Sequence, residues 1–125
     1  MLWQSMPYLG GGGMNPTESF DLDAYVVDTL MADLVGHDRQ PSAFLVYLYL
    51  WRQTLGAGRL ARPLSLAEIA DGTGLSKRAV QDAVARLARR KLIGMRRESV
   101  TAVAEYSVRR PWSGGEASGN RSSTG

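Results

Sequence analysis

Residues 64–94 read LSLAEIADGTGLSKRAVQDAVARLARRKLIG, and the fold turns on this stretch. It holds two helical patterns separated by a glycine. Ser65 or Leu66 opens the first, predicted over Leu66 to about Gly72. Gly74 supplies the backbone freedom for a sharp turn. Ser76 is a good N-cap for the second helix, predicted to run to about Lys91. Its apolar stripe is Val80, Ala83, Val84, Leu87 and Ala88. Ala70 is small where the two helices approach, Leu75 packs beneath the turn, and Ile69, Val80 and Val84 share a core.

Downstream, Leu92-Ile93-Gly94 leaves the helix. Met95–Arg97 and Ala102–Val108 are predicted as two strands joined by a turn at Glu98–Thr101, the second strand alternating in polarity. Upstream, Arg62-Pro63-Leu64 is a short extended piece. Before it, Pro41 and Ser42 open a helix that reaches Leu55 and is apolar almost all round, as a helix buried on several sides or used as an interface must be. An earlier helix is predicted from Thr17 to about Gly36, with Phe20, Leu22, Tyr25, Val26, Thr29, Leu30 and Leu34 at helical spacing. Residues 1–16 carry four consecutive glycines and are expected to be disordered, as is the Ser- and Gly-rich tail 111–125. Met6 and Met14 leave the natural start open. One folded unit, 17–110, remains. Its expected class is mainly α, of the α+β kind, with a C-terminal β-hairpin and an additional N-terminal helix.

The charge is divided along the chain. Residues 1–56 hold two basic and six acidic side chains, whereas 57–110 hold twelve basic and five acidic ones. A basic second half is a nucleic-acid signal. The chain has no cysteine, which removes disulfides and thiolate chemistry. Its single histidine, His37, has no ligand-like companions, so no metal site and no cofactor are expected. No nucleophile stands beside a candidate base, Glu68 and Asp71 lack an acid–base companion set, and Gly10–Gly13 are followed by no Gly-Lys-Ser/Thr. The expectation is therefore not an enzyme. The most apolar run, Ala43–Trp51, is far short of a membrane span, and no signal peptide is visible, which fits a cytoplasmic protein.

The quoted stretch resembles the helix-turn-helix of bacterial winged-helix transcription regulators and of phage or plasmid replication proteins. The resemblance covers about residues 41–109, with the helix-turn-helix at 66–91 and the wing at 93–109. It implies sequence-specific binding of double-stranded DNA, with the 76–91 helix in the major groove and the 95–103 wing on the backbone. On that reading Lys77 and Arg78 donate to guanine edges or phosphate, and Gln81 pairs with an adenine edge. Thr73 and Ser76 hold phosphate at the helix start, and Arg86 lies on the outward, DNA-facing side of the same helix. Asp82 either accepts from a cytosine or pairs with Arg78 or Arg86. Arg96 and Arg97 of the wing reach phosphate or the minor groove.

Other readings stay open beside this one. The domain can serve in phage or plasmid replication or partition, or as a protein-interaction module. Arg89-Arg90-Lys91 is either a phosphate clamp or a solvated helix end, Arg109 and Arg110 a solubilising edge, and Trp112 a loosely packed or dangling side chain. The apolar helix pair also offers a homodimer surface, expected at Tyr25, Leu30, Tyr47 and Trp51, residues that serve equally as core. No small-molecule site is evident.

Overall fold

The computed structural model describes residues 15–114. Most of the two terminal segments expected to be disordered, 1–14 and 115–125, lies outside the described residues. Within them, four helices precede or flank a three-stranded antiparallel sheet. The helices are α1 (24–37), α2 (Pro41–Gln53), α3 (Leu66–Thr73) and α4 (Lys77–Arg89). The strands are β1 (Arg62–Pro63), β2 (Ile93–Arg96) and β3 (Glu105–Val108), in the order β1-β3-β2. The architecture is mixed α and β.

Local chemistry explains the α3–α4 unit. Ser65 and Glu68 form a reciprocal cap: Ser65 Oγ accepts from the Glu68 N–H at 3.0 Å, and the Glu68 carboxylate accepts from the Ser65 N–H at 2.8 Å. Gly74 ends α3 at φ 82°, a left-handed position where a glycine pays no steric penalty. Ser76 then caps α4 by accepting from the Ala79 N–H at 3.0 Å. At the other end Lys91 N–H bonds Ala88 O and Leu92 N–H bonds Leu87 O, at 3.0 and 2.9 Å. That pair of bonds needs a left-handed residue, and Lys91 takes it at φ 60°.

Helix α2 is the centre of the core. Ala43, Val46, Tyr47 and Leu50 are fully buried, with Phe44 and Trp51 nearly so. It contacts α1, α3, α4 and β3, which is why its sequence is apolar around most of its circumference. Thr54, buried at its end, is satisfied by donating its hydroxyl to Leu50 O at 2.7 Å. From α4, Val80, Ala83 and Leu87 are fully buried against this helix, and burial of a leucine such as Leu87 contributes about 1.5–3 kcal/mol.

Helix α1 differs from expectation at its start. It begins at residue 24, not at Thr17. Residues 15–18 form a turn, with Asn15 Oδ1 accepting from both the amide and the hydroxyl of Thr17. The next residues run across the end of α2 and are held there by tertiary contacts. Trp51 Nε1 donates to Asp21 O at 2.9 Å, Arg52 pairs with Glu18 at 2.8 Å, and the Arg52 guanidinium lies over the Phe20 ring. The Asp21 carbonyl is thus committed to an indole and not to a helix. Once begun, α1 mixes α turns with two wider π segments, Val26–Leu30 and Asp33–His37. Its buried residues Val26, Leu30 and Leu34 recur every fourth position. A regular α-helix would let such a stripe drift around the axis, and the wider turns take up that drift.

The hairpin also departs from expectation. Arg96 pairs with Glu105 in register and ends β2, while β3 starts at Glu105, not at Ala102. Ala104 is occupied on the other side, where its carbonyl accepts from Leu64 N–H at 3.1 Å beside β1. The connection 97–104 is consequently longer than a four-residue turn. Beyond β3 the chain stays ordered through a short 3-10 turn, Pro111–Ser113. Trp112 stacks on Tyr25 with ring centroids 4.5 Å apart and donates from Nε1 to Asp23 Oδ2 at 2.9 Å. Of the two expectations for Trp112, packed against the domain or dangling, the packed one describes it.

Candidate nucleic-acid interface

Helix α4 buries one face and leaves the other in solvent. Val80, Ala83, Val84 and Leu87 point inward, while Arg78, Gln81, Asp82, Ala85 and Arg89 are exposed. The spacing of 78, 82, 85 and 89 is that of one helical face. Lys77 and Gln81 lie on the flank toward the hairpin. With Arg97, Thr101, Ala102 and Val103 they line an open groove whose floor includes Leu64, Leu66 and Tyr106. The first turn of α4 and the 97–104 connection therefore bracket one continuous surface.

The residues singled out in the sequence are distributed as follows. Lys77, Arg78, Gln81 and Arg97 are exposed on or beside this surface. Arg97 also donates to Ala102 O at 3.0 Å, which ties it to the loop it sits on. Arg96 is exposed and reaches back across the strands to the Glu105 carboxylate at 3.0 Å. Asp82 pairs with Arg78 at 3.6 Å, with both side chains largely in solvent, a contact that binds weakly and leaves both groups available. The hydroxyls of Thr73 and Ser76 serve the backbone: Thr73 donates to Ile69 O at 2.8 Å, and Ser76 accepts from Ala79 N–H. Both shape the turn that aims α4.

Arg86 requires a correction. It does not join the exposed face, because its position on α4 turns it toward the loop before α2, where Nε donates to Gln40 Oε1 at 3.1 Å. One turn on, Arg90 is engaged in the same direction, by Asp38 at 2.7 Å and Asp33 at 3.1 Å. Burial disfavours the Asp38 charge, but hydrogen bonds from Arg90 and His37 outweigh it and hold the Asp38 carboxyl below its ordinary pKa. Arg90 is pushed further up by the same carboxylates. These contacts fix α4 against α1, so Arg86 and Arg90 orient the helix; of the basic run Arg89-Arg90-Lys91, Arg89 is exposed on the outer face of α4 and Lys91 is exposed just beyond its end.

A second correction concerns the expected homodimer surface. Leu30, Tyr47 and Trp51 are 2, 0 and 3% exposed. Tyr47 Oη donates to Arg109 O at 2.9 Å and Trp51 to Asp21 O, so the partners of both are in the same chain. Tyr25 is covered on one side by Trp112. Leu30, Tyr47 and Trp51 are therefore core, whereas Tyr25 stays 39% exposed.

Of the residues lining the groove, Thr101 was the least visible in sequence. Periodicity on α4 gives Arg89, but nothing local places Thr101 beside Lys77. Among the described residues no three His, Asp or Glu side chains are grouped to hold a metal ion, and no helix is long and apolar enough to cross a membrane. No protein-family model, no curated protein and no solved structure matches the chain.

Proposed function

We propose that the chain is a winged helix-turn-helix protein that binds double-stranded DNA in a sequence-specific manner as a transcription regulator. In this reading α3 and α4 are the helix-turn-helix, α4 enters the major groove, and the β2–β3 hairpin is the wing on the flanking backbone. The observation that carries it is the shared groove. Lys77, Gln81 and Arg97 meet across it, and Arg78 and Arg89 extend the basic surface along α4. Lys77 and Arg97 supply phosphate contacts from two sides, while Arg78 and Gln81 project where base edges would lie. Of the acids before α2, Asp33 and Asp38 are engaged by Arg90 and not by the residues of the groove.

The test is a fluorescence anisotropy titration of duplex DNA over a salt series. Each phosphate contact contributes a slope of about −0.9 in log affinity against log salt. The double substitution Lys77→Ala/Arg78→Ala is expected to weaken binding and to flatten that slope by roughly two contacts. Absence of binding at low salt by the unaltered protein would turn the reading toward a protein-interaction module.

A further inference from the structure

Helix α1 has two apolar stripes, and the described residues cover only one. Val26, Leu30 and Leu34 face the core. Val27, Met31 and Val35, each one residue on, are 50, 36 and 38% exposed. Such large apolar groups at a constant four-residue spacing make a continuous strip along the outside of the helix, with exposed Ala32 beside it. Single exposed apolar residues are ordinary on a protein surface, but an aligned row on one helix marks a contact.

The row is symmetric about its middle. Met31 has a valine four residues to either side. Of the charges at the two ends of α1, Asp21 just before its start and Asp28 within it are exposed, whereas at its far end Asp33 and Asp38 are engaged by Arg90 and Arg39 stands exposed just beyond. A second copy of the same helix laid antiparallel satisfies both patterns together. Val27 meets the partner's Val35, Met31 meets the partner's Met31, and the acidic start of each helix lies toward Arg39 of the other. The helix dipoles oppose favourably in the same arrangement. A strip that complements itself in this way is what a twofold, isologous contact requires. We infer that α1 pairs two copies of this chain antiparallel through Val27, Met31 and Val35, with the twofold axis at Met31.

A helix about 20 Å long covers less than the roughly 800 Å² per partner of a standard interface. The dimer is therefore weak and concentration dependent. Its geometry leaves the groove between α4 and the hairpin uncovered, since that surface is built from other elements.

Sedimentation equilibrium of the full chain without DNA tests this, from low micromolar to millimolar concentration. The average mass is expected to rise from one chain toward two. Met31→Glu places a charge at the axis and is expected to weaken association by roughly tenfold or more, with an unchanged circular-dichroism spectrum, because the site is on the surface. Val27→Ser gives a second, milder reading of the same strip. Asp28→Arg is expected to weaken pairing, and adding Arg39→Asp to restore it. Aspartate suits the left-handed backbone at residue 39, φ 55°. A single-chain mass at every concentration, or equal association by Met31→Glu, overturns the inference. Failure of the charge exchange to restore pairing overturns the antiparallel arrangement. Because no DNA is present, the result is independent of the DNA titration.

Discussion

Asp23 ties the segment after β3 to the segment before α1, and Asp23→Asn measures what that tie is worth. One carboxylate oxygen, Oδ2, accepts from Arg110 Nε at 2.9 Å, from Arg110 Nη2 at 2.8 Å and from Trp112 Nε1 at 2.9 Å. Trp112 in turn stacks on Tyr25, and the Arg110 guanidinium lies 5.8 Å from the Trp51 ring centroid. The Asp23 and Arg110 side chains are 28 and 34% exposed, so solvent screens the ion pair and its share is held to about 1 kcal/mol. The indole bond to a charged acceptor adds about 1 kcal/mol more. Asparagine keeps the shape and can still accept one bond, which leaves a net loss of roughly 1–2 kcal/mol. For a domain of this size that is a fall in Tm of about 4–16 °C. Thermal unfolding by circular dichroism reads it. Trp112→Phe keeps the stack and loses only the indole donor, so the double variant is expected to lose less than the two single losses combined. A Tm for Asp23→Asn equal to that of the unaltered protein, or strict additivity with Trp112→Phe, would refute the account of this tie.

Three further outcomes follow from the contacts described. Lys91→Gly removes a lysine from a left-handed position that costs a side chain about 1 kcal/mol or more, so it is expected to raise Tm by a few degrees without altering DNA affinity. Asp38 has a lowered pKa in the folded chain, so its contribution is present above the unfolded carboxylate value, near 3.9, and is lost as pH falls through the folded value. Acid titration of stability is therefore expected to fall less steeply for Asp38→Asn than for the unaltered protein below about pH 4. Arg86→Ala is expected to leave the salt slope of DNA binding unchanged, because Arg86 is held by Gln40, whereas Arg78→Ala reduces it by about one contact.

The parts of the fold legible in the sequence are those fixed within a few residues. Ser65, Gly74 and Ser76 set the bounds of α3 and α4 through bonds that reach no further than four positions. The all-round apolar pattern of α2 likewise indicated burial on several sides. What escaped the sequence is set by distant partners. The start of α1 depends on Trp51 and Arg52, about thirty positions away, which hold Glu18 and Asp21 outside the helix. Arg86 looks like any basic residue of a DNA-facing helix until Gln40, 46 positions earlier, is folded beside it. Tyr47 and Trp51 carried the composition of an interface, but periodicity does not tell whether an apolar face meets a second molecule or another part of its own chain. The outer stripe of α1 was hidden for the same reason, since Val27, Met31 and Val35 alternate with Val26, Leu30 and Leu34 in one run of apolar residues.

The central claim is that the first turn of α4 and the hairpin together grip DNA. Anisotropy titration of labelled duplex across a salt series, with the unaltered protein, Lys77→Ala/Arg78→Ala and Arg97→Ala, tests it most directly. The account predicts binding that weakens steeply with salt, a slope flattened by about two contacts in the double variant and by about one in Arg97→Ala. Binding that is absent at low salt, or equally strong and equally salt dependent in all three proteins, would contradict it.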